Sequence, residues 1–305
     1  MIACALADGV YPVVPTPFDS SGGLDLESLR RLVAFLADSG ANGLLVLGVM
    51  GEAPKLLSSE RDAVIATSVE AAGSCPVIVG ATNPSVVGTR ALIKAAAAGG
   101  AVAVLIAPPR LDRADGEAGV VEYFVDVADG AELEIVLQDH PASSGVALSA
   151  HTVGRIAHEA PSVTAVKHED PPTPRKVTAV REQTPEGFKI FGGLGGMFLL
   201  EELRRGANGT MTGFAYPEVL IEVYRAHARG AADEAAAAFF RYLPLIRFEF
   251  QEGVGLAIRK HVYQLRGLID HDFVRAPGAR LDSGTIAELE GLLRWLKLDE
   301  VVAGA

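Results

Sequence analysis

Lys167 ends a short, mostly apolar run, which is an unfavourable place for a lysine unless its side chain has a role. The run covers residues 163–166, and burial at its end would favour the neutral amine over the ammonium form. A sheltered neutral amine can attack a carbonyl carbon and form a Schiff base. Position alone equally allows a lysine that extends to solvent and keeps its charge there.

A glycine-flanked turn, Gly48-Val49-Met50-Gly51-Glu52, follows an earlier apolar run. Glycine permits the sharp backbone turns that point successive N–H groups at one spot, and such a spot suits a carboxylate. We therefore expect this turn to bind the acid group of a substrate. Glycine-rich turns are common, so the motif carries weight only together with others.

Alternation of side chains along a strand predicts which other polar residues share a face. Gln138 and His140 fall on one side of their strand, with Asp139 on the opposite side. Glu169 falls on the same side as Lys167, which makes it a candidate acid or base. A supporting salt bridge to the lysine fits Glu169 equally well, and a loop that only caps backbone groups is the alternative for residues 138–140.

Eight short apolar runs alternate with segments of helical spacing, and they are the elements that must position these residues. Continuous rather than alternating apolar character is typical of parallel strands covered on both faces. The runs are 9–15, 43–47, 77–79, 102–107, 134–138, 163–167, 189–192 and 209–213. Eight such units predict an α/β fold, the closed (β/α)8 TIM barrel, whose catalytic groups lie at the carboxyl ends of the strands. Asp25 and Ser59 stand where N-caps of the first two helices are expected.

The remainder of the chain is predicted to be helical. We expect residues 1–217 to form the barrel and 218–305 a C-terminal helical extension, with helices over 226–242, 255–268 and 282–296. No GxGxxG turn follows the first run, which disfavours a doubly wound dinucleotide-binding sheet.

Composition argues against several classes of protein. The 305 residues include 27 Lys+Arg and 38 Asp+Glu, a formal net charge of −11, and the absence of a basic cluster disfavours nucleic acid or an anionic membrane as partner. Cys4 and Cys75 are too few for a disulfide scaffold and lack metal-ligand spacing. Residues 1–14 lack the pattern of an export signal, and the longest apolar run, 95–109, is too short to span a bilayer and is interpreted as a helix end followed by a strand. We therefore expect a cytoplasmic protein without a metal site.

Several motifs jointly resemble the dihydrodipicolinate synthase and N-acetylneuraminate lyase superfamily of Schiff-base aldolases and dehydratases. They are residues 9–18, the turn 48–52 with 57–61 after it, the lysine of the sixth strand, and 206–213 at the eighth strand. The resemblance spans nearly the whole chain and implies that Lys167 forms an imine with a 2-oxo acid. It also implies that backbone amides near Val49 and Met50 hold the carboxylate of the acid, and that Met211 lies beside the bound carbonyl compound. No metal or organic cofactor is required for this chemistry, and a homotetramer or dimer is implied.

The synthase of this superfamily passes protons through one threonine and two tyrosines, and these hydroxyls are missing here. The matching residues are Val49, Arg110 and Gln138, none of which relays a proton as a hydroxyl does. An arginine of the synthase is matched by Ser143 or Ser144. These departures disfavour the synthase reaction itself.

Three motifs together are more similar to the 2-keto-3-deoxy sugar-acid branch, notably 2-keto-3-deoxy-L-arabonate dehydratase. They are QDxP beginning at Gln138, KxExP beginning at Lys167 and GAxGTM beginning at Gly206. The similarity implies that water or an aldehyde is expelled from a 2-oxo acid bound as an imine. Without the hydroxyl relay, Glu169, His140 or a water held by Gln138 would move the protons, and the sequence does not choose between them.

The sequence thus predicts a class I lyase that acts on a small 2-oxo acid by dehydration or aldol cleavage. Lys167 is the predicted nucleophile, with Gln138 and Glu169 in catalysis and His140 in contact with the substrate. One alternative is a synthase-type condensation of pyruvate. Another, from a different class, is a non-catalytic sensor that binds 2-oxo acids without turning them over.

Overall fold

A computed structural model of the chain describes residues 6–110 and 116–298; Cys4 lies outside them. Eight parallel strands form one sheet in the order β1-β8-β7-β6-β5-β4-β3-β2. They are β1 Gly9–Pro12, β2 Leu44–Val46, β3 Val77–Gly80, β4 Ala103–Ile106, β5 Glu134–Asp139, β6 Val163–His168, β7 Lys189–Gly192 and β8 Gly209–Thr212. Val13 pairs with Leu45, and the N–H of Val14 donates to the carbonyl of Leu45 at 2.9 Å, so β1 also joins β2. The predicted (β/α)8 barrel is confirmed, and each predicted strand overlaps an observed one. Strands β3, β5 and β6 each end one residue later than predicted.

Helices follow the strands and cover the outside of the barrel. They are α1 Leu26–Asp38, α2 Ser58–Ala72, α3 Val86–Ala98, α4 Gly116–Ala128, α5 Pro141–Ser144, α6 Ala150–Glu159, α7 Thr173–Gln183 and α8 Leu199–Arg204. The predicted N-cap Asp25 accepts from the N–H of Ser28 at 2.9 Å. The predicted N-cap Ser59 is wrong: α2 begins at Ser58 with Leu57 as N-cap, because the Glu60 side chain accepts from the N–H of Leu57 at 2.9 Å.

Four more helices follow β8. They are α9 Pro217–Ala228, α10 Ala232–Glu249, α11 Gly255–Leu265 and α12 Ser283–Leu296. The predicted single helix over 226–242 is wrong, since Gly230 adopts a φ of +78° between α9 and α10 and a left-handed residue ends a right-handed helix. Helix α9 packs against β1 and α10 against α9. The division of the chain at residue 217 stays a prediction.

The inside of the barrel is filled by its own apolar layer, separate from the core between strands and helices. Tyr11 and Phe191 meet there edge to face, with ring centroids 5.3 Å apart. The layer consists of Leu6, Tyr11, Val13, Leu45, Ile78, Ala103, Leu105, Val136, Ala165, Phe191 and Met211. We call this layer the barrel floor. The polar side chains of Gln138, Lys167 and Glu169 lie beyond it, towards the carboxyl ends of β5 and β6. Across 6–110 and 116–298, no helix combines the length and apolar character that crossing a membrane requires.

Candidate active site

Three polar side chains meet beyond the barrel floor. Lys167 follows the floor residue Ala165 by two positions on β6, so alternation directs it into the barrel. Its Nζ lies 3.0 Å from Oε2 of Glu169. The Nε2 of Gln138, which pairs with Lys167 in the strand register, donates to the same oxygen at 3.0 Å. Lys167 is only 5% exposed, so the alternative of a lysine extended into solvent is wrong.

The charge of Glu169 is set by opposing effects. Burial alone raises the pKa of this carboxyl, but attraction to Lys167, then His140, and the hydrogen bond from Gln138 together hold the pKa below its ordinary value. An amine attacks a carbonyl only in its neutral form. Glu169 Oε2, 3.0 Å from Nζ of Lys167, is placed to accept a proton from it.

The predicted carboxylate-binding turn is a single 3-10 turn, Val49–Gly51. The N–H of Gly51 donates to the carbonyl of Gly48 at 2.9 Å, and the N–H of Glu52 to that of Val49 at 3.2 Å. The amides of Val49 and Met50 come first in the turn and have no acceptor within it. They are the two groups that the sequence assigns to a carboxylate.

A cavity of about 560 Å³ brings together the three positions where the hydroxyl relay is missing, Val49, Arg110 and Gln138. The Nε of Arg110 donates to the carbonyl of Ser144 at 3.0 Å, so this guanidinium lies beside the residues that match the synthase's arginine. Lys167 does not line the cavity. Gln138 lines the cavity, and its side chain contacts Glu169, which in turn contacts Lys167. The cavity is therefore connected to the lysine through these side chains.

Two other predicted site residues occupy different surroundings. His140 is the N-cap residue of α5. It is close enough to Glu169 to lower the pKa of that carboxyl. Its Nδ1 is buried and has no partner among the described residues. Met211 is fully buried in the barrel floor, and Met50 packs against that floor. These methionines give the site an apolar base.

Asp139 faces away from the barrel interior, as alternation predicts. Its Oδ2 lies 2.9 Å from Nδ1 of His168 and 2.7 Å from Nζ of Lys176, and both Asp139 and His168 are fully buried. This ion-paired group links β5 to β6 on the outer face of the barrel sheet. It does not face the three polar side chains inside the barrel.

Sequence reasoning missed a buried ionic group beside the carboxylate-binding turn. Oε1 of Glu52 lies 2.6 Å from Nζ of Lys260, and Oε2 lies 2.9 Å from Nζ of Lys55. Burial lowers the pKa of Lys260 to about 8, against the attraction of Glu52. Arg259, next to Lys260 in α11, is buried beside Glu249, whose pKa burial raises to about 7. No local pattern signals the contact of Glu52 with Lys260, since these residues are 208 positions apart.

The architecture and the motifs are those of a known family. The model of the Dihydrodipicolinate synthetase family matches residues 6–295. The chain belongs to this family. A solved dihydrodipicolinate synthase from Rhodopseudomonas palustris is 37% identical with a TM-score of 0.90, covering 94% of this chain and 97% of its own.

Two curated relatives indicate the kind of reaction that dihydrodipicolinate synthetase family members carry out. The L-2-keto-3-deoxyarabonate dehydratase of Azospirillum brasilense is 34% identical over 298 residues, 96% of this chain and 95% of its own. The L-threo-3-deoxy-hexylosonate aldolase of Hypocrea jecorina is 34% identical over 248 residues, 76% of this chain and 78% of its own. This member of the family is a lyase-type enzyme.

Proposed function

We propose that the enzyme dehydrates a 2-keto-3-deoxy sugar acid through a Schiff base on Lys167. The observation that carries the proposal is the buried contact of this lysine with Glu169, 3.0 Å away, at the carboxyl end of the barrel. The similarity to the A. brasilense dehydratase over 96% of the chain supports this substrate class. Both groups needed to form an imine and to remove a neighbouring proton then stand side by side.

The reaction begins with transfer of a proton from the Lys167 ammonium to Glu169, after which Nζ attacks the C2 carbonyl. Glu169 returns this proton to the C2 hydroxyl group, which leaves as water. A protonated imine remains and acts as an electron sink, and Glu169 is again a carboxylate.

A base then removes a C3 proton, and the resulting enamine expels the C4 hydroxyl, which leaves as water after protonation. Loss of a proton from C5 and of the proton of its hydroxyl group, with protonation at C3 and C4, then turns the unsaturated imine into the imine of a semialdehyde. Its hydrolysis releases the semialdehyde and returns the free lysine. Glu169 is the candidate base, because its carboxylate contacts Lys167. One such proton transfer contributes roughly 10²- to 10⁴-fold in rate.

The carboxylate of the substrate is held by backbone rather than by a cation. The N–H groups of Val49 and Met50 are available for it at the start of the 3-10 turn. Binding by backbone explains why valine is tolerated where the synthase has a threonine. Met211 and the rest of the barrel floor exclude water from beneath the imine.

Reduction with borohydride tests the covalent step. Incubation of the enzyme with pyruvate or with a 2-keto-3-deoxy sugar acid, followed by borohydride, should add the mass of the reduced acid to Lys167. Peptide mapping by mass spectrometry locates the adduct. The absence of an adduct, or an adduct on another lysine, contradicts the proposal.

Arg110 should contact the hydroxyl-bearing end of the sugar acid. It lines the cavity, and only its Nε is engaged by the protein within the described residues. We expect Arg110→Gln to raise KM for the sugar acid by roughly ten-fold, the size of one lost charged hydrogen bond. Borohydride trapping by pyruvate serves as the control, because pyruvate lacks the hydroxyl-bearing end that Arg110 would contact, and its trapping should not change. An equal loss with both compounds would contradict this role.

Aldol cleavage is the second candidate, favoured by the similarity to the H. jecorina aldolase. In that reaction the C3–C4 bond breaks and the enamine of pyruvate remains on the lysine. Product analysis separates the two, since dehydration yields a semialdehyde and cleavage releases pyruvate. Binding seen by calorimetry with no consumption of any sugar acid would instead favour the non-catalytic sensor.

We further propose that the enzyme works in the cytoplasm as a homo-oligomer, either a dimer or a tetramer. The support for assembly is the resemblance to its superfamily. Light scattering of the purified protein measures the mass directly. A monomeric mass at micromolar concentration contradicts the proposed assembly.

A further inference from the structure

Helix α11 of the C-terminal region contacts the carboxylate-binding turn through two consecutive residues. Nη1 of Arg259 lies 3.3 Å from Sδ of Met50. Nζ of Lys260 lies 2.6 Å from Oε1 of Glu52. These two contacts bracket the end of the 3-10 turn whose first amides face a carboxylate in the proposed function.

Glu52 is buried and held by several contacts, although it lies in a turn. It is 2% exposed and has a φ of +53°, a left-handed conformation that costs a non-glycine residue free energy unless its surroundings fix it. Both its carboxylate oxygens are used: Oε1 by Lys260, and Oε2 by Nζ of Lys55 and by the N–H of Arg275 at 3.1 Å. The side chain therefore fixes the backbone at the exit of the turn.

Lys260 is in turn fully buried and fixed from its other side. Its Nζ donates to the carbonyl of Phe273 at 2.8 Å and lies 4.5 Å from the ring centroid of Phe18. An ammonium group so placed cannot move without leaving the carboxylate of Glu52 partly unpaired, which is costly in a buried site. The position of α11 thereby determines the position of Glu52.

Arg259 acts on the neighbouring part of the turn. Sδ of Met50 lies over Gly213, where any larger residue's Cβ would collide with it. Arg259 covers this sulfur from outside and is itself held by Glu249, with Nε 3.4 Å from Oε2. Met50 thus lies between Gly213, which follows β8, and α11. Its amide is one of the two that would bind the substrate's carboxylate.

We propose that Arg259 and Lys260 are positioning residues that hold the amides of Val49 and Met50 at the correct place for the carboxylate of a 2-oxo acid. The proposal rests on the proposed function, because it assigns these amides to the substrate. Neither side chain is required to touch the substrate. Their effect should therefore appear as a loss of selectivity for the carboxylate, and not as a uniform loss of activity.

The test compares pyruvate with methyl pyruvate, which carries the same ketone but no carboxylate charge. Rates of borohydride-trapped adduct formation on Lys167 are measured at concentrations below saturation for the wild type and for Lys260→Met. We expect the variant to lose roughly 10- to 100-fold in the rate with pyruvate, as misplaced binding groups do, and to keep nearly the same rate with methyl pyruvate. The ratio of the two rates removes any general change in the reactivity of the lysine.

His261→Gln is the matched control, since His261 lies next in α11 and its ion pair is with Asp272, 2.8 Å away, not with the turn. The double variant Glu52→Gln/Lys260→Met covers the case in which the single variant does not fold, because it removes both buried charges together. Melting temperatures accompany every measurement. An equal loss with both compounds, or an unchanged ratio in folded variants, overturns the positioning role. No adduct in the wild type with either compound rejects the proposed function itself, which is a different outcome.

Discussion

Replacing Lys167 with alanine should abolish both turnover and adduct formation. We expect kcat to fall on the order of 10⁶-fold, the size of loss seen when a covalent nucleophile is removed. The reason is that the imine is the electron sink for every later step, and no other described amine touches Glu169. Steady-state kinetics with a 2-keto-3-deoxy sugar acid and mass spectrometry after borohydride treatment measure the two effects separately.

The control for this variant must separate chemistry from stability. Lys167→Ala leaves the carboxylate of Glu169 buried with only Gln138 as a hydrogen-bond donor, which destabilises the fold. Lys189→Ala removes another lysine of the barrel, from the amino end of β7, where its Nζ pairs with Asp8 at 2.6 Å. Its activity should stay near that of the wild type. Residual turnover by a folded Lys167→Ala protein would show that the reaction does not pass through this amine.

The strands and their facing residues were predictable because they depend on local patterns. A parallel strand that is covered on both faces is continuously apolar, whichever strands pair with it. Its own sequence is therefore enough to recognise it. Alternation then places Gln138, Lys167 and Glu169 on one side and Asp139 on the other, and the structure has them so. Helix breaks are harder, as Gly230 shows: an alanine-rich pattern continues across it, and only its left-handed backbone separates α9 from α10.

The support of the carboxylate-binding turn was not predictable. Arg259 and Lys260 have the charge of a solvated helix face, and the sequence around them gives no sign of burial. Lys260 meets Glu52 across 208 positions of sequence. Such pairs depend on how the C-terminal helices pack on the barrel, a tertiary property that no window of sequence contains.

Replacing Glu169 with glutamine should separate imine formation from turnover. We expect kcat to fall by roughly 10²- to 10⁴-fold, the contribution of one general base. Adduct formation with pyruvate should persist, because glutamine keeps the shape of the side chain and water can accept the proton of the lysine in place of the carboxylate. The measurements are kcat with the sugar acid and the rate of borohydride trapping with pyruvate. Asp170→Asn is the control, since Asp170 pairs with Lys176 at 2.7 Å.

The pH profile provides an independent check on the role of Glu169. In the free enzyme its pKa lies below the ordinary value for glutamate, and a base must be deprotonated to act. The acid limb of kcat/KM, which reports the free enzyme, should therefore lie below that ordinary value and disappear in Glu169→Gln. If turnover of Glu169→Gln equals that of the wild type, His140 or a water held by Gln138 moves the proton, and Glu169 only holds the lysine. If adduct formation is lost together with turnover in a folded variant, the carboxylate is needed to accept the proton of the lysine, and the C3 step requires a different base.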